Sequence, residues 1–339
     1  MSNPPLNASF VRERYTQFEA FSDAVQAWNL DFRQLGATSG PFLLEQVVTE
    51  HMIYARAVLG APFHQQGGSP QGYRTFSILA SGAADFRWSG ELITSDCMLV
   101  MPENGDFESV SSAGLDSYHL SLSIDLMQWA AMHQLGMPLG AVLGPERVFC
   151  RGAGEQIAQL RNLLGKYSAR LADRKASDAE YERQLERFGQ QLAASIIDIL
   201  AVTERVSPSR NVGRRRQALN RALRHTRGND LLRTSVSDLV QESGVSRRTL
   251  ESAFQDDLGT SPAHYLKACR LNALRQALYS APPKTTSVAA LGRAYGFQHG
   301  GQLAADYLNL FGELPSATLR RSSSYTNRAH IDHTGFGAA

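Results

Sequence analysis

At 339 residues, 43% hydrophobic and +2 in net charge, the chain has the composition of an ordinary globular protein and the length for two domains. No apolar run is long enough to span a bilayer, and the start lacks the basic-then-apolar layout of a secretory signal, so a soluble cytoplasmic protein is expected. The small total hides a split: Arg205 to Arg321 carries 18 Lys and Arg against 8 Asp and Glu, Met1 to Glu204 carries 15 against 23, and the basic back half points to a polyanion partner.

In chain order, the first thirty or so residues read as a polar tail and a short helix. From Phe42 short β-type runs follow: Phe42–Val48, Met52–Val58, Tyr73–Leu79, Phe86–Trp88, Met98–Met101, Phe107–Val110 and Tyr118–Ser123. Turn signals separate them at Gly67-Gly68-Ser69-Pro70, Ser81-Gly82, Pro102-Glu103-Asn104-Gly105 and Ala113-Gly114. Many short strands at this spacing suggest a sandwich or barrel. Asp125–Leu135 then reads as a helix. His51, His64, His119 and His133 are scattered with no His-x-His pair, so neither a metal site nor a cofactor is expected. Phe76, Trp88, Phe107 and Tyr118 are either plain core aromatics or the walls of an effector pocket. Cys97, Cys150 and Cys269 are too far apart for a metal pair and odd in number, which suggests buried thiols.

Gly154 to Val202 is helical by periodicity: Ile157, Leu160, Leu164, Tyr167 and Leu171 recur at three- and four-residue steps, as do Leu185, Phe188, Leu192, Ile196 and Ile199. Asp173–Ser177 is expected to break the stretch in two. Its apolar stripes either pack on the β-domain or form a dimer seam. Ser207-Pro208-Ser209-Arg210-Asn211 is the best domain boundary. A basic helix over Arg214–Thr226 follows it.

Residues 235–266 and 287–319 are two copies of one pattern. Ser235, Val236, Leu239 and Gly244 recur 52 positions later as Ser287, Val288, Leu291 and Gly296. Leu250, Phe254, Leu258, Gly259 and Pro262 recur 53 positions later as Leu303, Tyr307, Phe311, Gly312 and Pro315. The slip falls just after the repeated glycine and belongs in a turn, because an extra residue inside a helix would rotate its apolar face off the core. The pattern is a pair of helix-turn-helix units. In the first, Ser246 caps the second helix and Leu250, Ala253, Phe254 and Leu258 form its inner stripe. Arg247, Arg248, Thr249, Glu251 and Ser252 lie outside, where Arg suits guanine and Glu suits the cytosine amino group. Arg247 has two further options, a phosphate or an ion pair with Glu251 one turn on. Ser261-Pro262 starts and Pro282-Pro283 ends a linking helix of about 30 Å, close to one turn of B-DNA. In the second copy, His299, Gly300, Gly301 and Gln302 take the outer positions, with His299 and Gln302 the only polar readers. The surrounding arginines, among them Arg214, Arg215, Arg216, Arg221, Arg224, Arg270, Arg275 and Arg293, are expected mostly to meet phosphates or solvent. The chain from Ser322 is rich in Ser, Thr and Gly and reads as a disordered tail.

ESGVSRRTLESAF, GTSPAHYLKACRLNALRQAL, VAALGRAYGF and FGELPSATLR resemble, in order, the C-terminal domain of AraC/XylS transcription regulators, over about residues 214–321. RWSGELITSDCMLVMPENGDFESVSSAG is similar, more loosely, to the β-barrel sensor domains of that family. The resemblance implies bacterial transcription regulation, activation being the usual mode, with promoter DNA, RNA polymerase and a second copy of the chain as partners. In the family's pattern the positions of Arg248, Glu251 and Ser252 face bases. Those of Gly300, Gly301, Ala304 and Ala305 do so in the second copy, where this chain offers almost no side chain.

The fold expected is α+β. Residues 1–150 form a cupin-like β-barrel that senses a small molecule or partner, and 151–205 a helical linker or dimerisation element. Residues 214–321 form an all-α domain with two helix-turn-helix units, and 322–339 the tail. The function expected is sequence-specific, DNA-binding transcription regulation without enzymatic activity. The competing readings are a barrel enzyme with a nucleic-acid tether and a ligand-independent regulator controlled by oligomerisation.

Overall fold

The computed structural model describes residues 9–25, 28–82, 84–88, 90–101, 106–145, 148–171, 178–206, 213–226 and 231–321. The expected break at Asp173–Ser177, the boundary at Ser207–Asn211, the turn at Pro102–Gly105 and the tail from Ser322 lie outside these residues. The fold is mixed α+β, with a helical C-terminal domain that carries the helix-turn-helix units. The chain divides into two compact units, one of residues 1–32, 39–60 and 65–211, the other of residues 33–38, 61–64 and 212–339.

In order, the elements up to Val206 are β1 (Ser9–Tyr15), α1 (Phe18–Ala24), β2 (Asn29–Gln34), β3 (Phe42–Val48), β4 (Met52–Leu59), β5 (Phe63–Gly68), β6 (Tyr73–Leu79), β7 (Phe86–Trp88), β8 (Glu91–Leu92), β9 (Met98–Val100), β10 (Asp106–Ser111), β11 (Leu115–Ser123), α2 (Ile124–Leu135), α3 (Leu139–Val142), β12 (Val148–Arg151), α4 (Gly154–Leu171), α5 (Asp178–Val202) and β13 (Glu204–Val206). One sheet runs β1-β3-β4-β11-β6-β9-β12-β13 and the other β2-β5-β10-β7-β8. Neither strand order closes on itself among the described residues. Two expectations are corrected. The start of the chain is not a tail and a helix alone, since β1 pairs antiparallel with β3 from Ser9↔Val48 to Tyr15↔Phe42. Its alternating charges, Arg12, Glu13 and Arg14, hid it, and charge is common on an edge strand. Gly67-Gly68 ends strand β5 instead of forming a turn, and β5 escaped notice because its buried residues His64, Gln65 and Gln66 are polar.

The central strands of the long sheet are buried on both faces. Strand β11 shows why: side chains alternate, so Tyr118, Leu120 and Leu122 enter one core while Leu115, Ser117 and His119 face the second sheet. The first core is closed by α2, α4 and α5. Ile157, Leu160 and Leu164 of α4 and Leu185, Phe188, Leu192, Ile196 and Ile199 of α5 are buried there with Tyr54, Phe76 and Met98 of the sheet. Tyr167 stacks on Phe188 with ring centroids 3.7 Å apart. Both helical stripes read from the sequence are therefore spent on the sheet. Cys97, Cys150 and Cys269 are buried and form no disulfide, as their spacing suggested. No helix among the described residues is long and apolar enough to cross a membrane.

The second unit continues with α6 (Arg214–His225), α7 (Val236–Ser243), α8 (Arg247–Leu258), α9 (Pro262–Ser280), α10 (Val288–Ala294) and α11 (Gly300–Phe311). It also takes in residues 33–38 and 61–64. There the side-chain amide of Asn272, on α9, accepts from the Gln34 backbone N–H at 3.0 Å and donates to its carbonyl at 2.9 Å.

Gly60 follows β4 and its carbonyl accepts from the backbone N–H groups of Ser39 and Gly40 at 2.8 and 3.2 Å. A Cβ at Gly60 would collide with the Gly40 carbonyl, whereas one at Gly40 meets Gly60 at an ordinary 3.9 Å. Gly60→Ala is therefore expected to lower stability by about 1–3 kcal/mol, with Gly40→Ala much milder. Urea unfolding of the two variants checks this.

Candidate nucleic-acid interface and ligand cavity

Both helix-turn-helix copies are built from the same local devices. In the first, Ser235 and Asp238 form a reciprocal cap on α7: the Ser235 N–H donates to Asp238 Oδ2 at 2.7 Å and the Asp238 N–H to Ser235 Oγ at 3.3 Å. The backbone hydrogen bond from Ser235 holds the Asp238 carboxyl below its ordinary pKa. Gly244 ends α7 at φ 66°, a left-handed conformation that costs glycine little. Ser246 Oγ then accepts from the Thr249 N–H at 3.2 Å and starts α8. In the second, Ser287 Oγ accepts from the Ala290 N–H at 3.3 Å, and Gly296 turns the chain at φ 88°. Gly244 precedes α8 by three residues and Gly296 precedes α11 by four, so the extra residue seen in the repeat lies in the turn. Gly259 and Gly312 end the two reader helices at φ 67° and 74°.

Leu250, Ala253, Phe254 and Leu258 are the buried face of α8. Arg247, Arg248, Glu251 and Ser252 are exposed on the opposite side, with Thr249 half-buried and tied to Ser246. Arg247 Nε donates to Glu251 Oε1 at 3.0 Å, the ion-pair option the spacing left open. An exposed pair of this kind is worth about 0.3–0.5 kcal/mol and exchanges readily for another partner. Arg248 has no such partner among the described residues. On α11, His299 takes the capping position without a side-chain cap, and Gly300, Gly301 and Gln302 are exposed. A Cβ at Gly300 or Gly301 would enter open space.

The arginines divide, and more of them have protein partners than the expectation that most serve phosphate or solvent allowed. Arg221 donates to the Ser243 carbonyl at the end of α7, and Arg270 to the Thr234 carbonyl at 2.7 Å. Helix ends leave carbonyls without partners, and a guanidinium fork satisfies them. Arg275 is buried against the Phe311 ring, 4.4 Å from its centroid, and pairs with Glu313 at 3.4 Å. Glu313 also accepts from Arg321 and from Thr318 Oγ1. Arg215 and Arg216 pair with Asp256 and Asp257 of α8. Arg248 and Arg293 are exposed.

In the first unit, a cavity of about 630 Å³, mouth included, lies between the two sheets. Six aromatic rings line it, from Phe21, Trp28, Phe32, Phe86, Trp88 and Phe107, and its polar members are Gln65, Ser109, Ser117 and His119. Of the four aromatics singled out in the sequence, Trp88 and Phe107 line the cavity, stacked at 4.7 Å. Phe76 and Tyr118 are one residue out of phase with Ser77 and His119 and lie in the helix-facing core instead. His119 was considered only as a metal ligand. Its ring nitrogens lie 2.8 Å from Ser77 Oγ and 3.0 Å from Ser117 Oγ. Its accessible edge opens into the cavity, and burial lowers its pKa to about 4. Among the described residues no group of three His, Cys, Asp or Glu is placed to hold a metal.

A helix-turn-helix domain model matches residues 239–321. The chain is 37% identical over 86 residues to the probable thc operon regulatory protein of Rhodococcus erythropolis, covering 25% of this chain and 26% of that protein. It is 29% identical over 168 residues to the XylDLEGF operon transcriptional activator 1 of Pseudomonas putida, covering 49% of this chain and 48% of that one. The matched stretches thus span about half the length of these relatives or less. Among solved structures, the AraC-like transcriptional activator CuxR is 15% identical, covering 78% of this chain and 94% of that one with a TM-score of 0.42, too slight a likeness to argue from.

Two outcomes follow from this geometry. Arg275→Ala removes a buried cation from the Phe311 ring and one of the two arginines on Glu313 and is expected to cost about 1–3 kcal/mol, whereas Arg248→Ala stays within about 0.5 kcal/mol; thermal unfolding separates them. The imidazole of His119 is expected to titrate near pH 4, well below free histidine, and NMR of the ring protons reads it. Because the folded pKa is the lower one, its linked stability is complete above pH 6.5 and is lost as pH falls from there toward 4.

Proposed function

We propose that this chain, whose residues 239–321 match a helix-turn-helix domain model, is a sequence-specific DNA-binding transcription regulator of the AraC/XylS type, an activator, with no catalytic step of its own. The observation that carries this reading is the outer face of α8, where Arg248 stands exposed beside Arg247, Glu251 and Ser252 on a helix whose other side is core. In the proposed complex α8 enters the major groove. Arg248 donates a bidentate pair to guanine, Glu251 leaves Arg247 to accept from cytosine, and Arg247 turns to phosphate. Ser246 and Thr249 hold the helix start against the backbone. Helix α9, 19 residues and about 28 Å long, spaces α8 from α11 by nearly one turn of DNA. At α11 only His299 and Gln302 offer polar side chains, so the second copy adds affinity more than sequence.

The first unit is proposed as the sensor, a barrel-like pair of sheets whose cavity takes a small-molecule effector. Effector binding shifts the population between DNA-competent and incompetent states. RNA polymerase and a second copy of the chain are the proposed protein partners.

Gel-shift titration of the full chain at several salt concentrations tests the reading. A promoter fragment should be bound at least a thousandfold more tightly than random duplex, and equal affinity for both would end the proposal. Arg248→Ala should cost about 1–3 kcal/mol and relax preference at one base pair. Arg293→Ala should weaken all sequences alike and reduce the salt slope by about 1.

A further inference from the structure

From the lining of the cavity we infer that its ligand is an uncharged, mainly aromatic molecule carrying one hydrogen-bonding group, and is neither an organic anion nor an organic cation. This rests on the reading of the first unit as a small-molecule sensor and goes beyond it to the ligand's chemistry.

The argument starts from charge. Among the described residues the lining holds no Lys, Arg, Asp or Glu. A carboxylate or phosphate entering it would give up hydration and find no counter-charge, and an ammonium would find rings but no carboxylate. His119 does not supply the missing cation. It is wedged between the hydroxyls of Ser77 and Ser117, one on each ring nitrogen, and hydroxyls can both donate to and accept from a neutral imidazole. Burial keeps it uncharged across the physiological range. Nearby polarity is also already paired: Gln65 Nε2 donates to Ser111 Oγ at 3.3 Å, and Trp28 Nε1 to Ser121 Oγ at 3.2 Å. What is left is a set of neutral hydroxyl and amide groups, enough to orient one polar substituent. Shape supports the aromatic part. Trp88 and Phe107 lie nearly parallel, 12° apart, and present a flat wall. Ala55 and Ala57 keep the floor low on β4.

The test uses the full chain and three probes of one shape at pH 7.5: 2-naphthamide, 2-naphthoate and 2-naphthylmethylammonium, followed by titration calorimetry and by the shift in melting temperature. The amide is expected to bind at least tenfold more tightly than either charged probe. Ala57→Phe fills the cavity and should abolish its binding, and Ala55→Leu is the second filling variant should the first fail to fold. A charged probe that binds within tenfold of the amide, and is lost on filling, overturns the ligand class while the cavity remains a ligand site. Failure of all three probes to bind, or binding that survives the filling variants, overturns the sensor site itself.

Discussion

Helix α9 is the constraint on which the second unit depends. Tyr265, Leu266, Ala268, Cys269, Leu271, Leu274 and Leu278 are all buried, so the helix is apolar on most of its circumference. Such a helix is stable only inside a core, and here each end is covered by one helix-turn-helix copy. Near its start the Tyr265 ring meets Phe254 of α8 edge-on at 5.5 Å. Along its second half Leu271, Leu274 and Leu278 share a core with Leu303, Tyr307 and Phe311, all three from the inner face of α11. The two reader helices are thereby fixed to one rod by side chains that point away from any ligand. Free energy for folding and geometry for recognition come from opposite faces of the same helices, which is why the outer faces are free to differ.

The first unit solves a different problem with the same economy. A sheet covered on one face by α2, α4 and α5 needs apolar residues at every second position of its strands, and β11 supplies them in Tyr118, Leu120 and Leu122. The other parity is released from that demand. Ser117, His119 and Ser121 occupy it, and each finds a hydroxyl or imidazole partner within 3.2 Å. Small polar residues at these positions, with aromatics arriving from the second sheet, leave a hollow between the sheets instead of a packed layer. The cavity is thus a consequence of the pattern along β11 and does not require a special loop.

How much of this was legible follows from where the signals are local. Glycine turns, serine caps and the proline-bounded α9 act within a few residues, and the duplicated register even located the extra turn residue between Gly296 and α11. The strands from Phe42 to Val48 and from Tyr73 to Leu79 alternate or run apolar and were equally plain. Strands β1 and β5 were not, because Arg12, Arg14 and Gln65 look like surface or loop in a linear reading. Their place is set by partners tens of residues away. The cavity aromatics show the same limit. Phe76 and Phe107 are indistinguishable in the sequence, and only the parity of each strand within its sheet sends one to the helix-facing core and the other to the hollow. The arginines were the hardest. Charge alone cannot tell Arg248, which meets solvent, from Arg275, which is buried on Phe311, since that difference depends on Glu313 arriving from the far end of the second copy.

The two copies also show how a duplicated scaffold divides labour. In the first, Ser246 caps α8 and the following turn carries two arginines and a threonine. In the second, His299 leaves α11 without a side-chain cap and two glycines follow, each costing about 1 kcal/mol of helix propensity relative to alanine. Nothing in the packing demands those glycines, because the space where a Cβ would sit is empty at both. The inner faces, by contrast, match closely: Leu250 with Leu303, Phe254 with Tyr307, Leu258 with Phe311. The helix start that pays a stability cost without a packing reason lies on the side turned to solvent. Under the proposed DNA-binding reading, such a bare surface lets a duplex approach the backbone of the helix itself.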